Sequence, residues 1–221
     1  MSSGSLRGAA EAAGAAEAAS AAEVGPAGAA EAASAAEAAG AAEAGPAGAA
    51  EAAGARRELV LRPRVGMQQY ASVPHVVALG VCDALPDRAI SWPHGIADAT
   101  TGELLCSLRA HAGYDEEGMY ARVSMPAELL TDSVEAAVRM RVDSWAKALE
   151  GRPRLAPLAP VLSDYADRLA LMGRRVRVTY PNGAVYATGE FVGIDVWGRA
   201  TVRLVNGSDL EFPPERYNIS P

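Results

Sequence analysis

The chain is 221 residues long, half hydrophobic but only 5% aromatic, with 20 basic and 27 acidic side chains for a net charge of −7. No apolar run approaches the ~20 residues that span a bilayer, and no secretory-type apolar segment stands near Met1. With two cysteines, too few for a disulfide framework, the expectation is a cytoplasmic protein with Cys82 and Cys106 as free thiols and no membrane partner.

The first quarter of the chain does not read as a folded domain. Residues 8–27, GAAEAAGAAEAASAAEVGPA, are nearly repeated by residues 28–47, GAAEAASAAEAAGAAEAGPA, and a third copy begins at Gly48. Ala favours helix, but Gly or Ser recurs every six residues and Gly-Pro interrupts each copy. Between Gly8 and Ala55 there is no Leu, Ile, Phe or Met, so no apolar face exists to pack. Residues 1–55 therefore read as a low-complexity tail, disordered or partly helical. They carry Arg7 and seven Glu, a net of −6, leaving −1 for the rest. A nearly neutral body has no electrostatic footprint for nucleic acid. The cluster Arg174, Arg175 and Arg177 reads as the exposed side of a strand.

From Glu58 the texture changes. "ELVLRP" (58–63) is a short strand stopped by Pro63, and "SVPHVVALGVCDAL" (72–85) a helix with Ser72 as N-cap and Pro74 in its first turn. "AISWP" (89–93), "LLCSLRAH" (104–111) and "GMYARVSM" (118–125) are strands, the second able to pair back on the first. "DEEG" (115–118) is an acidic hairpin turn. Asp132 with Glu135 resembles a capping box. Val134, Val138, Val142, Trp145 and Leu149 then form one helical stripe, ended by Gly151 and Pro153. A second helix is expected from about Pro160, burying Leu162, Tyr165, Leu169 and Met172 and stopping at Gly173. These elements are α+β, a mainly antiparallel sheet with helices on one face, over residues 56–170.

Residues 171–221 read as a small all-β unit. In "RRVRVTY", Val176, Val178 and Tyr180 face one way and Arg175, Arg177 and Thr179 the other. Pro181-Asn182-Gly183, Val196-Trp197-Gly198 and Asn206-Gly207 are turns, the last expected as a type I′ hairpin. Five short strands so connected predict an SH3-like barrel.

"SWPHGI" (91–96), "GELLCSL" (102–108) and the C-terminal run Gly173, "RVRVTY", Gly189, "GID" (193–195) and Gly198 together resemble the biotin protein ligase family. The C-terminal motif residues are Gly189, Gly193, Asp195 and Gly198. The resemblance covers roughly residues 58–221 and implies a partial class II synthetase-like catalytic domain followed by an SH3-like domain. The implied reaction joins biotin to AMP at the expense of ATP and magnesium, then passes biotin to a lysine of a carrier protein.

The departures fall on the charged positions. The family's "GRGRxGRxW" loop is absent. Where the resemblance implies "KWPNDI", Ser91 replaces Lys, His94 replaces Asn and Gly95 replaces Asp; Leu104 stands at or beside an expected lysine, and Ser107 replaces a glycine. Trp92, Pro93, Ile96 and Gly102 remain as frame. Phosphoryl-type chemistry depends on positioning and on cations that stabilise developing negative charge, and the chain has one lysine, Lys147. Activity would require Arg62, Arg64, Arg88 or Arg109 to take over.

The leading expectation is therefore a shortened ligase homologue, a pseudoenzyme that binds or regulates. Trp92, Pro93, Arg62, Arg109 and Ser107 are its candidate ligand contacts. Its partners would be a carrier protein, a full-length ligase or a second copy. The rivals are an active ligase using substituted residues and a plain SH3-like interaction module. His75, His94 and His111 share no metal-ligand spacing, so no metal site is expected.

Overall fold

The computed structural model describes residues 55–221, so the expected tail lies, Ala55 apart, outside the described residues. β1 (Arg56–Leu61) pairs antiparallel with β6 (Gly118–Pro126), which pairs on its other side with β5 (Arg109–Asp115). Leu59, Leu61, Ala121, Val123 and Met125 turn inward from this sheet. A second small sheet contains β2 (Arg88–Ser91), β3 (Gly95–Asp98) and β4 (Leu104–Ser107) in that order.

The sequence reading missed β3, a strand of only four residues next to Pro93. The strand at 104 therefore pairs with β3 rather than back on β2. "LLCSLRAH" is likewise two strands: β4 and β5 belong to different sheets, and buried Leu108 marks the break.

Two helices pack on each other and against the sheets. α1 (Val73–Ala84) is buried almost all round. Ser72 occupies its N-cap but makes no capping bond, because a 3-10 turn over Met67–Ser72 leads straight into the helix. α2 (Asp132–Leu149) buries all five stripe residues. Its cap is Thr131, whose side chain accepts from the Val134 N–H, one residue before the expected box. Gly80 of α1 faces the α2 backbone so closely that a Cβ there would lie 2.7 Å from the Val138 Cα. α3 (Leu162–Asp167) is shorter than expected, although Tyr165 and Leu169 are buried as predicted. Met172 and Leu162 are half-buried. The chain leaves helical form after Asp167 because the Ile90 N–H donates to the Arg168 carbonyl and the Ala170 N–H to the Ile90 carbonyl. No described helix is long and apolar enough to cross a membrane.

The C-terminal part is a five-stranded antiparallel sheet in the order β10 (Asp209–Phe212), β9 (Ala200–Leu204), β8 (Val185–Ile194), β7 (Arg175–Thr179), β11 (Asn218–Ser220). Val176 and Val178 are buried and the alternating Arg175 and Arg177 exposed, as the strand period requires. Three of its hairpins use one device. Gly183, Gly198 and Gly207 all have φ near +85° and donate to the carbonyl three residues back, while Tyr180, Asp195 and Leu204 donate to the carbonyl four residues on. These are three-residue loops with a left-handed glycine, not the two-residue type I′ turn expected at Asn206-Gly207. The buried apolar cluster runs without a break from Leu59 to Ile219, so both parts share one core.

Candidate functional site

The turn from Ser91 to Gly95 lies where the small sheet, the helices and the C-terminal sheet meet. Trp92 is buried, and its indole N–H donates to the Gly198 carbonyl at 2.8 Å. The Pro93 carbonyl accepts a bond from the Tyr165 hydroxyl. Burial raises the Tyr165 pKa well above its ordinary value, so it stays a neutral donor. Trp92 and Pro93 thus act first as fasteners, tying the turn to both the helical and the C-terminal parts.

Beneath them is a pair of histidines. His75, on the first turn of α1, is 4% exposed, and neither ring nitrogen has a hydrogen-bond partner. Its ring centroid lies 5.6 Å from that of His94, edge-on, and 5.7 Å from that of Tyr165. Burial, and then the neighbouring His94, lower the His75 pKa to about 3. Desolvation lowers the His94 pKa to about 4. Both are neutral at pH 7. His111 lies apart on exposed β5, near Tyr120. Sequence spacing gave no sign that His75 and His94 meet, since one is helical and the other sits in a turn nineteen residues on.

The positions that depart from the family motif face one another on the small sheet. Ser91 pairs with Gly95, and Gly95 with Ser107. A register shift sets Leu104 opposite Ala97, on the same face. The Leu104 side chain folds over Gly95, where an added Cβ would meet its Cδ1 at 2.7 Å. No cation stands among these four residues. Asp98, at the end of the same strand, is engaged by the Thr100 and Thr101 N–H groups, each at 2.9 Å, which hold its pKa below the usual range. Among the described residues no three His, Cys, Asp or Glu side chains gather as a metal site.

The candidate arginines are mostly engaged elsewhere. Arg62 is bidentate to Asp115, at 2.8 and 2.6 Å, and reaches Glu117 at 3.1 Å. Arg88 pairs with Asp87 at 2.6 Å. Arg109 lies exposed on β5 opposite Ser124, and Arg64 lines a shallow cleft with Arg152 at the end of α2. Arg56, overlooked in the sequence, donates to the Ser107 carbonyl at 2.9 Å and to Ser124. Its bonds reach this group of positions, and the Ala-rich sequence before it gave no hint of that. Of the C-terminal motif, Asp195 accepts from the Trp197 and Arg199 N–H groups and thereby shapes the turn that presents Gly198. Gly189 lies against Arg203, where a Cβ would be 2.3 Å from its carbonyl oxygen, and Gly193 borders a bulge in β8. Cys82 is fully buried, which pushes its thiol up to about 12 and makes it unreactive.

The architecture is that of the biotin protein ligases, α+β with antiparallel sheets and a β-rich C-terminal part. The chain is similar to the crystal structure of the biotin protein ligase from Aquifex aeolicus, with a TM-score of 0.51 and 14% identity over 75% of this chain and 81% of that one. The apo structure of the Aquifex ligase gives 0.51 and 13% over the same shares. A biotin protein ligase-like protein of unknown function from Silicibacter is 16% identical over 72% of this chain and 78% of its own, with a TM-score of 0.49. At these identities the likeness is one of fold. No protein-family model and no curated protein sequence matches the chain.

Proposed function

We propose that this chain is a divergent, shortened biotin-ligase homologue that no longer forms an adenylate and acts by binding, with a biotin carrier protein, a full-length ligase or a biotin-like molecule as its partner. The observation that carries this reading is the contact between Leu104 and Gly95. An aliphatic side chain occupies the space beside a position where the family resemblance implies a carboxylate, and Leu104 itself stands at or beside an implied lysine. Transfer to and from phosphate needs cations aimed at the charge that develops, and losing one such donor commonly costs about 10²–10³ in rate. Several are missing together.

The test is to incubate the purified protein with ATP, biotin and a carrier domain and probe with streptavidin. No label above the no-enzyme control is expected; label at the level of an active ligase would overturn this reading. Thermal unfolding with biotin then separates small-molecule binding from protein binding. A millimolar ligand held at micromolar affinity adds about 4 kcal/mol, and no shift points to a protein partner.

A second reading, an SH3-like interaction module, is favoured by one feature. Tyr180 and Tyr186, 38% and 48% exposed, each lie 5.3 Å from the Tyr217 ring and 5.5 Å from each other, in tilted and edge-on contacts on the C-terminal sheet. Such aromatic clusters are enriched at protein interfaces. Replacing Tyr186 by Ser should then abolish capture of a partner by a protein that still unfolds cooperatively, at some cost in stability because the ring also packs on Phe212.

A further inference from the structure

Many arginines of this protein sit beside a carboxylate. Arg62 meets Asp115, Arg139 meets Glu135, Arg141 meets Asp83 and Asp164, and Arg203 meets Asp209. The cleft at the end of α2 departs from that pattern. It has a volume of about 390 Å³ and is lined by Arg64 and Gly66 from the link after β1 and by Glu150, Gly151 and Arg152 from the end of α2. Among the described residues neither Arg64 nor Arg152 has an ion-pair partner, nor has Arg154 two residues on, and all three are exposed. Glu150 pairs with none of them, so three positive charges against one negative leave this group at +2. The α2 carbonyls at this end are already engaged in part, since Lys147 and Leu149 accept from the Glu150 and Arg152 N–H groups. Guanidinium groups held together without a counter-charge are a ready site for carboxylates.

The same chain supplies those carboxylates. Residues 1–54, outside the described residues, hold seven glutamates against one arginine, a net of −6. The repeat sets a glutamate every six or eight residues among Ala, Gly and Ser, so one can take the place of another. The rest of the chain is nearly neutral at −1, which makes any attraction local to a patch. Reach is sufficient. Ala55 is fixed where its carbonyl accepts from the Ala127 N–H at 2.8 Å. Arg64 follows nine residues later, at most about 30 Å away. Glu43, twelve residues before Ala55, spans up to about 40 Å, and the five glutamates before it reach further. Exposed ion pairs are individually weak, but a tethered segment is present at an effective concentration of about millimolar.

We propose that the glutamate repeat of residues 8–54 docks on the Arg64–Arg152–Arg154 cleft of its own chain, through exchangeable ion pairs rather than apolar burial. The cleft is then closed to other anions until the repeat is displaced. This inference does not rest on the ligase reading, and its test contains neither biotin nor ATP. The full chain carrying Ala44→Cys takes a single nitroxide spin label, because Cys82 and Cys106 are buried. At low salt the label should erase most of the amide NMR intensity of Gly66 and Gly151. The intensity should return in about 1 M sodium chloride, where the screening length is about 3 Å. It should also return at low salt when Arg64→Gln, Arg152→Gln and Arg154→Gln are combined, with an unchanged thermal midpoint showing that the fold is intact. Isotope-labelled protein without the spin label, mixed with spin-labelled protein, should keep its intensity. Full intensity at low salt in the labelled chain overturns the proposal. So does a loss that the triple variant retains, which puts the repeat on another surface, and so does a loss in the mixed sample, which makes the contact one between copies.

Discussion

Leu104 covers Gly95 so closely that its Cδ1 would stand 2.7 Å from any Cβ added there, with the Cys106 carbonyl and the Ser91 Cβ each at 3.3 Å. The glycine is therefore held by packing from three directions and is not merely a lost carboxylate.

Gly95→Ala should accordingly destabilise the protein by about 1 kcal/mol or more, at the lower end of overpacking costs because the leucine tip can swing aside. Combining it with Leu104→Ala should cost less than the sum of the two single changes, because each relieves the other. Urea denaturation of the four-member cycle measures the coupling. Strict additivity would show that the two side chains do not share this space. The functional corollary is that Gly95→Asp alone should not confer biotin adenylation, since the new carboxylate would have to displace Leu104 to be accommodated.

Trp92 joins residues 106 positions apart through its bond to the Gly198 carbonyl. Trp92→Phe keeps most of the apolar contact but leaves that buried carbonyl unpaired, which costs about 1–3 kcal/mol. Gly198→Ala should also be costly, since its φ is +86° and the new methyl would meet the His75 Nε2 at 2.9 Å. If the two parts of the molecule unfold as one unit, both variants lower a single unfolding midpoint. Appearance of two transitions would show that the shared core does not couple them.

Much of this architecture was legible in the sequence because it is periodic or punctuated. The α2 stripe, the alternation of β7 and the glycine turns of the C-terminal sheet each follow from local rules. What escaped was short or long-range. β3 has four residues, too few to show a period, and the Trp92–Gly198 and His75–His94 contacts join segments that no local pattern connects. The α2 cap was misplaced by one residue for a specific reason. Asp132 and Glu135 have the spacing of a capping box, but Thr131, with φ −80° and ψ 165°, has the extended backbone a cap requires. Thr131→Ala should cost about 1 kcal/mol, and Asp132→Ala clearly less, since Asp132 contributes only through its charge near the helix N-terminus. Equal costs in thermal unfolding would restore Asp132 as the cap.

The histidine pair makes stability depend on pH, and the direction follows from linkage. His75 and His94 have folded pKa values of about 3 and about 4 against an ordinary 6.5. Below pH 6.5 the unfolded chain therefore binds protons that the folded chain refuses, and acid favours unfolding. The stabilising effect of their neutral burial is complete above pH 6.5 and declines as pH falls from there towards 4 and then 3. For His75, the more deeply buried, the loss between pH 7 and pH 5 is roughly 2 kcal/mol, at 1.36 kcal/mol per unit. The carboxylates Asp98 and Asp115, with pKa values held below the ordinary carboxylate range by hydrogen bonds, add to acid sensitivity only in a lower window, as pH falls through and below that range. Urea midpoints measured from pH 7.5 to 4.5 should thus fall steadily in the native protein. In His75→Phe the slope should flatten by about half or more, even if its stability at pH 7 is lower, because a phenyl ring takes up no proton. An unchanged slope in that variant would mean that His75 is hydrated or paired in solution and titrates normally.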